Sequence, residues 1–181
     1  MARIVLGTTK HPVRFSYAHV FEKSSMGEND RECYSVAVLI DKKDKVSLAK
    51  YEKALEDAKQ YGKEEKWDNK IPKSLMGPLR DGDDEYDDGN KGPEYQGKMF
   101  LNAKSFNKRP EVVDEDRNEI LDPEDFYSGC YGRVSIDLYP YNTNGNKGVA
   151  AGLGNLQKLK DGENLGAGGS TAEDDFADDL E

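Results

Sequence analysis

The sequence predicts a mainly β protein: an OB-fold, five-stranded β-barrel with one α-helix, long loops and a disordered acidic tail. Three observations predict it. Residues 13–21, 98–106 and 131–139 alternate apolar and polar side chains with the period of a strand. A single segment, 46–61, carries helical spacing. That helix falls between the third and fourth of five strand candidates, which is the order of an OB fold. A generic β-sandwich is the competing architecture, because the loops between the candidates are irregular in length.

Taken in order, residues 4–6 (IVL) make a short first strand. In the second, Val13, Phe15, Tyr17 and Phe21 are expected on one face, with Arg14 and Ser16 on the other. Residues 33–40 (CYSVAVLI) form a nearly unbroken β-rich run, read as a central strand covered on both faces. Asp44 is placed to cap the helix, because a carboxylate there accepts from the free amides of the first turn. Leu48, Tyr51, Leu55 and Ala58 share a helical stripe, and Gly62 is read as the stop. Residues 63–93 read as an irregular polar excursion and 107–125 as a loop. The segment 148–159 fits a strand or a short helix, and its glycines at 145, 148, 152 and 154 are read as turns.

Composition bounds the function. The hydrophobic fraction is 35% and the charged fraction 34%, so part of the chain is expected to be loop or tail. The formal net charge is −10. Eight acids and no base lie in 161–181, and without them the charge is −2. Six more acids lie in 81–90, and without those it is +4. The body is therefore mildly basic, which keeps nucleic acid open as a partner. The domain division follows: 1–160 as the body, and 161–181 as a Gly-rich linker with an acidic tail. Two isolated cysteines, Cys33 and Cys130, make no disulfide framework and are expected to be packing residues. Residues 1–7 lack a basic-then-apolar leader, and no apolar run is long enough to span a membrane. A reduced, cytoplasmic protein is expected.

The candidate binding residues come from strand parity. In 98–104, Met99, Leu101 and Ala103 are assigned to the core, and Lys98, Phe100, Asn102 and Lys104 to the outer face. Phe106, Lys108 and Arg109 continue that chemistry. In 131–139, Val134, Ile136 and Leu138 point inward; Tyr131, Arg133 and Tyr139 point outward, with Tyr141 beyond, and Asp137 sits awkwardly among them. Arg14 is a weaker third contribution. Aromatic rings stack on exposed bases while cations hold phosphates, so such faces suit a single nucleic-acid strand. Phe100 is read as an outward stacking residue; a second core layer is the alternative.

Other chemistry is not supported. In the block 81–89, placing Gly89 at the sixth position of a calcium loop puts Tyr86 where an oxygen ligand belongs. His11 and His19 have no zinc-ligand spacing to the cysteines. No phosphate-binding or nucleophile motif occurs, so neither an enzyme nor a cofactor is expected. A metal-dependent nuclease using the 81–88 carboxylates is the less favoured alternative, and a structural or adaptor protein without DNA binding the other.

Four stretches carry a resemblance: 14–22 (RFSYAHVFE) with 34–40 (YSVAVLI), 97–105 (GKMFLNAKS), 126–133 (FYSGCYGR), and 148–153 (GVAAGL) with 161–163 (DGE). In this order they resemble a family of bacteriophage single-stranded DNA-binding proteins with an OB fold and an acidic C-terminal tail. The resemblance implies a role in phage DNA replication, recombination and repair, and a tail that contacts replication enzymes such as the polymerase. It makes Asp174, Asp175, Phe176, Asp178, Asp179 and Leu180 the expected partner-binding segment, with the tail also competing for the cationic surface. Related tails often end on an aromatic; here Phe176 stands five residues before the terminal Glu181. Monomer and dimer are both compatible with the sequence.

Overall fold

The computed structural model describes residues 3–25, 31–75 and 77–165. The strands are β1 (Ile4–Leu6), β2 (Val13–Ser24), β3 (Cys33–Asp41), β4 (Arg80–Asp81), β5 (Lys98–Ser105), β6 (Val112–Val113), β7 (Tyr131–Thr143) and β8 (Asn146–Lys160). The helices are α1 (Lys45–Glu65) and the short α2 (Gly82–Asp87), with a 3-10 turn at Pro93–Tyr95. No helix among the described residues is long and apolar enough to cross a membrane.

Five strands close a ring in the order β7, β2, β3, β5, β8 and back to β7. All contacts around it are antiparallel except β5 with β8, where Ala103 and Lys104 run parallel to Ala151 and Gly152. The mainly β, OB-like ring with one principal helix is therefore present. Its membership differs in detail from the sequence reading. β1 is a short edge strand on β7, and the fifth place belongs to β8. Consequently α1 lies between the second and third strands of the ring.

The segment left open between strand and helix is strand throughout. Val149, Ala151, Leu153 and Leu156 point into the core. Gly148, Gly152 and Gly154 are strand residues, not turns. The turn is at Asn144 and Gly145, both at positive φ (52° and 89°), the backbone that a tight two-residue hairpin requires.

The ring encloses Phe15, Val36, Val38, Leu101, Ala103, Val134, Ile136 and Leu138, each at most 1% exposed. Helix α1 packs on β1, β7 and β8 through Tyr51, Leu55 and Ala58. Asp44 caps it, accepting from the Ser47 amide at 3.0 Å. The helix runs past Gly62 to Glu65 because Gly62 is a contact point, not a stop. A Cβ there would lie 2.7 Å from both the Pro140 side chain and the Trp67 ring. Cys33 and Cys130 are free and buried, and burial pushes the Cys130 thiol up to about 11.

The excursion between α1 and β5 is organised. Asp81 caps α2, accepting from the Asp83 amide at 2.9 Å. Lys42 Nζ bridges Asp81 at 2.9 Å and Asp83 at 2.6 Å, and the Gly97 amide donates to Asp83 at 2.9 Å. These bonds pin α2 to the start of β5. Tyr95 is thereby laid on the outside of the ring, where it forms a second small core with Ala37, Leu39 and Phe100.

Candidate nucleic-acid interface

Opposed residues of neighbouring strands share a face, so the register maps the outer surface of the ring directly. Asp137 on β7 faces Gly152 on β8, and Gly152 faces Lys104 on β5. Lys104 faces Ser35 on β3, and Ser35 faces His19 on β2. This transverse row crosses all five strands. Alongside it, Tyr139 faces Ala150 and Asn102 faces Ala37.

Between the raised side chains of β5 and β7, β8 offers only small residues outward. The result is an open groove of about 500 Å³. Its walls carry Arg80, Asn102, Lys104, Phe106, Tyr139 and Tyr141, with Ala150 on the floor. Two cations and three aromatics line it, and no carboxylate does. Tyr141 lies over the backbone of Gly148, where a Cβ would meet its hydroxyl oxygen at 2.5 Å. At Gly152 a Cβ would make ordinary contacts of 3.6 Å or more, so that glycine adds depth without being sterically required. Burial raises the Tyr139 phenol above its usual range, leaving it a neutral ring with a hydrogen-bonding tip.

Of the outward residues expected from the sequence, the groove gathers Asn102, Lys104, Phe106, Tyr139 and Tyr141. Lys108 and Arg109 are exposed just beyond Phe106. There the Arg31 guanidinium stands 4.9 Å from the Phe106 ring centre, and Arg109 stands 5.4 Å from that of Phe21. A second ridge of cations on aromatics thus extends the groove toward β2 and β3. Arg80 and Arg31 had no signal in the periodicity, since one lies in a two-residue strand and the other in the two irregular residues just before β3.

The remaining candidates lie elsewhere. Phe100 shares the predicted face but is 1% exposed, its ring edge-on to Tyr95 at 5.0 Å. The excursion covers it, so its outward stacking assignment is corrected to a second core layer. Lys98 pairs with Asp41 at 3.6 Å, beneath the same excursion. Arg14 donates to the main-chain oxygens of Gly129 and Glu163, both at 3.1 Å, and stands 5.1 Å from the Tyr131 ring. Lys160 approaches the Tyr131 ring at 4.8 Å, so two cations are engaged on Tyr131. Arg133 lies in a separate shallow hollow and donates to Gln157 at 2.9 Å, beside the acid-rich 111–125 loop. Asp137 is satisfied by a bidentate pair with Arg3, at 3.1 Å for each contact.

Tyr17 also departs from parity. The β2–β3 register slips between Ser16 and His19, and Tyr17 sits at φ 48°. A bulge adds a residue and re-aims the side chains beyond it, so Tyr17 turns outward and Val20 takes the core position.

Residues 161–165 lie along the body. Tyr127 donates its hydroxyl to Asp161 at 2.8 Å, Lys158 pairs with the same carboxylate at 2.6 Å, and the Leu165 amide donates to Ser128 at 2.8 Å. Asp174, Asp175, Phe176, Asp178, Asp179 and Leu180 lie outside the described residues. Among the described residues, no group of three or more His, Cys, Asp or Glu is placed to hold a metal ion.

Comparison with known proteins adds to this geometry. The family described as Enterobacter phage Enc34, ssDNA-binding protein, matches residues 2–181. The single-stranded DNA-binding protein of bacteriophage Enc34, solved in complex with ssDNA, is 25% identical with a TM-score of 0.74 over 91% of this chain and 89% of that one. The fold is also similar to that of gp2.5, a single-stranded DNA-binding protein of bacteriophage T7. That match is 17% identical with a TM-score of 0.60, over 94% of this chain and 98% of that one. A curated relative, putative protein p50 of Acyrthosiphon pisum secondary endosymbiont phage 1, is 35% identical over 126 residues, which span 64% of each chain.

Proposed function

The chain belongs to the bacteriophage family of the Enc34 single-stranded DNA-binding protein, and on that premise we propose that it binds single-stranded DNA, with little sequence preference, across the transverse groove. The observation that carries this reading is the groove's lining: Arg80 and Lys104 among Phe106, Tyr139 and Tyr141, with no carboxylate. The cations neutralise phosphates, and each ring stacked on a base contributes roughly 1–3 kcal/mol. Every base has a π-face, so stacking tolerates any sequence. In a duplex the faces are already stacked, so the same rings favour single strands.

The protein then serves phage DNA replication, recombination and repair in the host cytoplasm by coating exposed strands, without catalysis of its own. The acidic segment beyond Leu165 mimics a strand of phosphates. It competes for the groove until DNA or a replication partner displaces it, with Asp174, Asp175, Asp178 and Asp179 as the charges and Phe176 and Leu180 as apolar anchors. The nuclease alternative draws no support from the excursion, because Asp81 and Asp83 are committed to Lys42.

The test is a fluorescent oligo-dT against the matching duplex across a salt series. Tight single-strand binding and weak duplex binding are expected, with log K falling linearly against log salt at about −0.7 per phosphate contacted. No binding at low salt, even with 166–181 removed, would leave the phage adaptor reading in front.

A further inference from the structure

We infer that the path of the strand continues past the groove, over β3, to a second stacking subsite on β2 built from Tyr17 and Lys91. The inference rests on the single-strand reading above and adds a subsite to it. Strands lie about 4.8 Å apart, so the row from Lys104 through Ser35 to His19 covers roughly 10 Å beyond the groove. It arrives at an open hollow of about 470 Å³ lined by Ser16, Tyr17, His19, Glu94 and Ser128.

Tyr17 is unusual there on two counts. It is 55% exposed, and its φ of 48° is costly for a bulky side chain, of order 1–3 kcal/mol. The surroundings hold it so. The Ala18 amide donates to the Ser128 hydroxyl at 3.0 Å, and the Gly129 amide to the Phe15 carbonyl at 2.7 Å. A cation completes the arrangement, with Lys91 Nζ 4.6 Å from the centre of the Tyr17 ring. One face of an exposed ring beside an ammonium is the pairing that takes a base and its phosphate. Glu94 also lines the hollow, and its charge steers a phosphate away from that wall.

The experiment uses the full chain and oligo-dT probes of increasing length. Tyr17→Ala is expected to leave the shortest bound probe unaffected and to weaken longer ones by about 5- to 100-fold. Lys91→Gln lowers the salt slope on long probes by about 0.7, and Tyr17→Phe, which keeps the ring, binds as the native chain does. Tyr17→Gly accepts positive φ freely, so it keeps thermal stability while losing the same long-probe affinity. That split is one a purely structural role would not produce. Native-like binding by Tyr17→Ala at every length overturns the inference, as does an equal loss at all lengths. Failure of the unmodified chain to bind any probe overturns the single-strand reading, and the subsite with it.

Discussion

Arg14 reaches the main chain of Glu163, with Nη2 3.1 Å from that carbonyl oxygen. A residue on the first strand of the ring therefore fastens the segment that comes after the last one. Where the chain is cut should matter for this reason. Removing 166–181 is expected to leave stability unchanged and to tighten DNA binding, most visibly at low salt, where exposed charges are least screened. Removing 161–181 also takes away Asp161 and Glu163. It should lower stability modestly, because the hydrogen bonds lost are solvent-exposed. Urea denaturation and oligo-dT titration of both truncations separate the two effects. Equal stability of the two chains would refute the fastening.

In the groove, Tyr139→Ala is expected to lose roughly 1–3 kcal/mol of single-strand affinity, and Lys104→Ala to reduce the salt slope by about 0.7. Arg133→Ala, in its separate hollow, should change neither. Salt-dependent titrations of the three variants check the order, and a larger effect at Arg133 than at Lys104 would relocate the site.

Phe100→Ala removes a buried ring that meets Tyr95 edge-on. The expected cost is about 3–5 kcal/mol of stability, with DNA affinity unaltered in the fraction that remains folded. Chemical denaturation alongside binding below the transition distinguishes this from a stacking role, which would show the reverse.

Lys42 makes a prediction in pH. Its hydrogen bonds hold Asp81 and Asp83 below the ordinary carboxylate range. Carboxylates depressed in the folded state add stability that is present above their unfolded value, near 3.9. That stability is lost as pH falls through the lower folded values. Lys42→Gln should therefore be less stable than the native chain at pH 7, with the gap closing below about pH 4. Both ends of the pair are about one-third exposed, so the gap is modest. Urea midpoints from pH 7 down to pH 2 test it, and a gap independent of pH would assign Lys42 a packing role.

What was legible in the sequence was what local periodicity encodes. Val134, Ile136 and Leu138 alternate and are buried, and the stripe Tyr51, Leu55 and Ala58 seats the helix as its spacing required. Phe100 shows the limit. Alternation says that a side chain leaves one core, but not that a segment from elsewhere in the chain will cover it. Tyr17 shows another, because one inserted bulge residue shifts the phase of everything after it. The last hairpin carries a local signal of its own. Asn144 followed by Gly145 is a strong turn dipeptide. Val149, Ala151 and Leu153 alternate with small residues that leave the groove floor bare. Arg80 and Arg31 reach the interface through tertiary placement alone.

The parallel contact between β5 and β8 has a consequence for assembly during synthesis. Chains emerge N-terminus first, so β2, β3 and β5 are available as an open sheet well before residues 146–160 leave the ribosome. Until then the edge of β5 beyond the two residues that pair with β4, Met99 and Phe100, is a template for any passing strand. Closure then demands a contact between segments roughly fifty residues apart in sequence, the kind of long-range pairing that slows folding. A nascent chain paused just short of β8 would be the form of this protein most prone to aggregate.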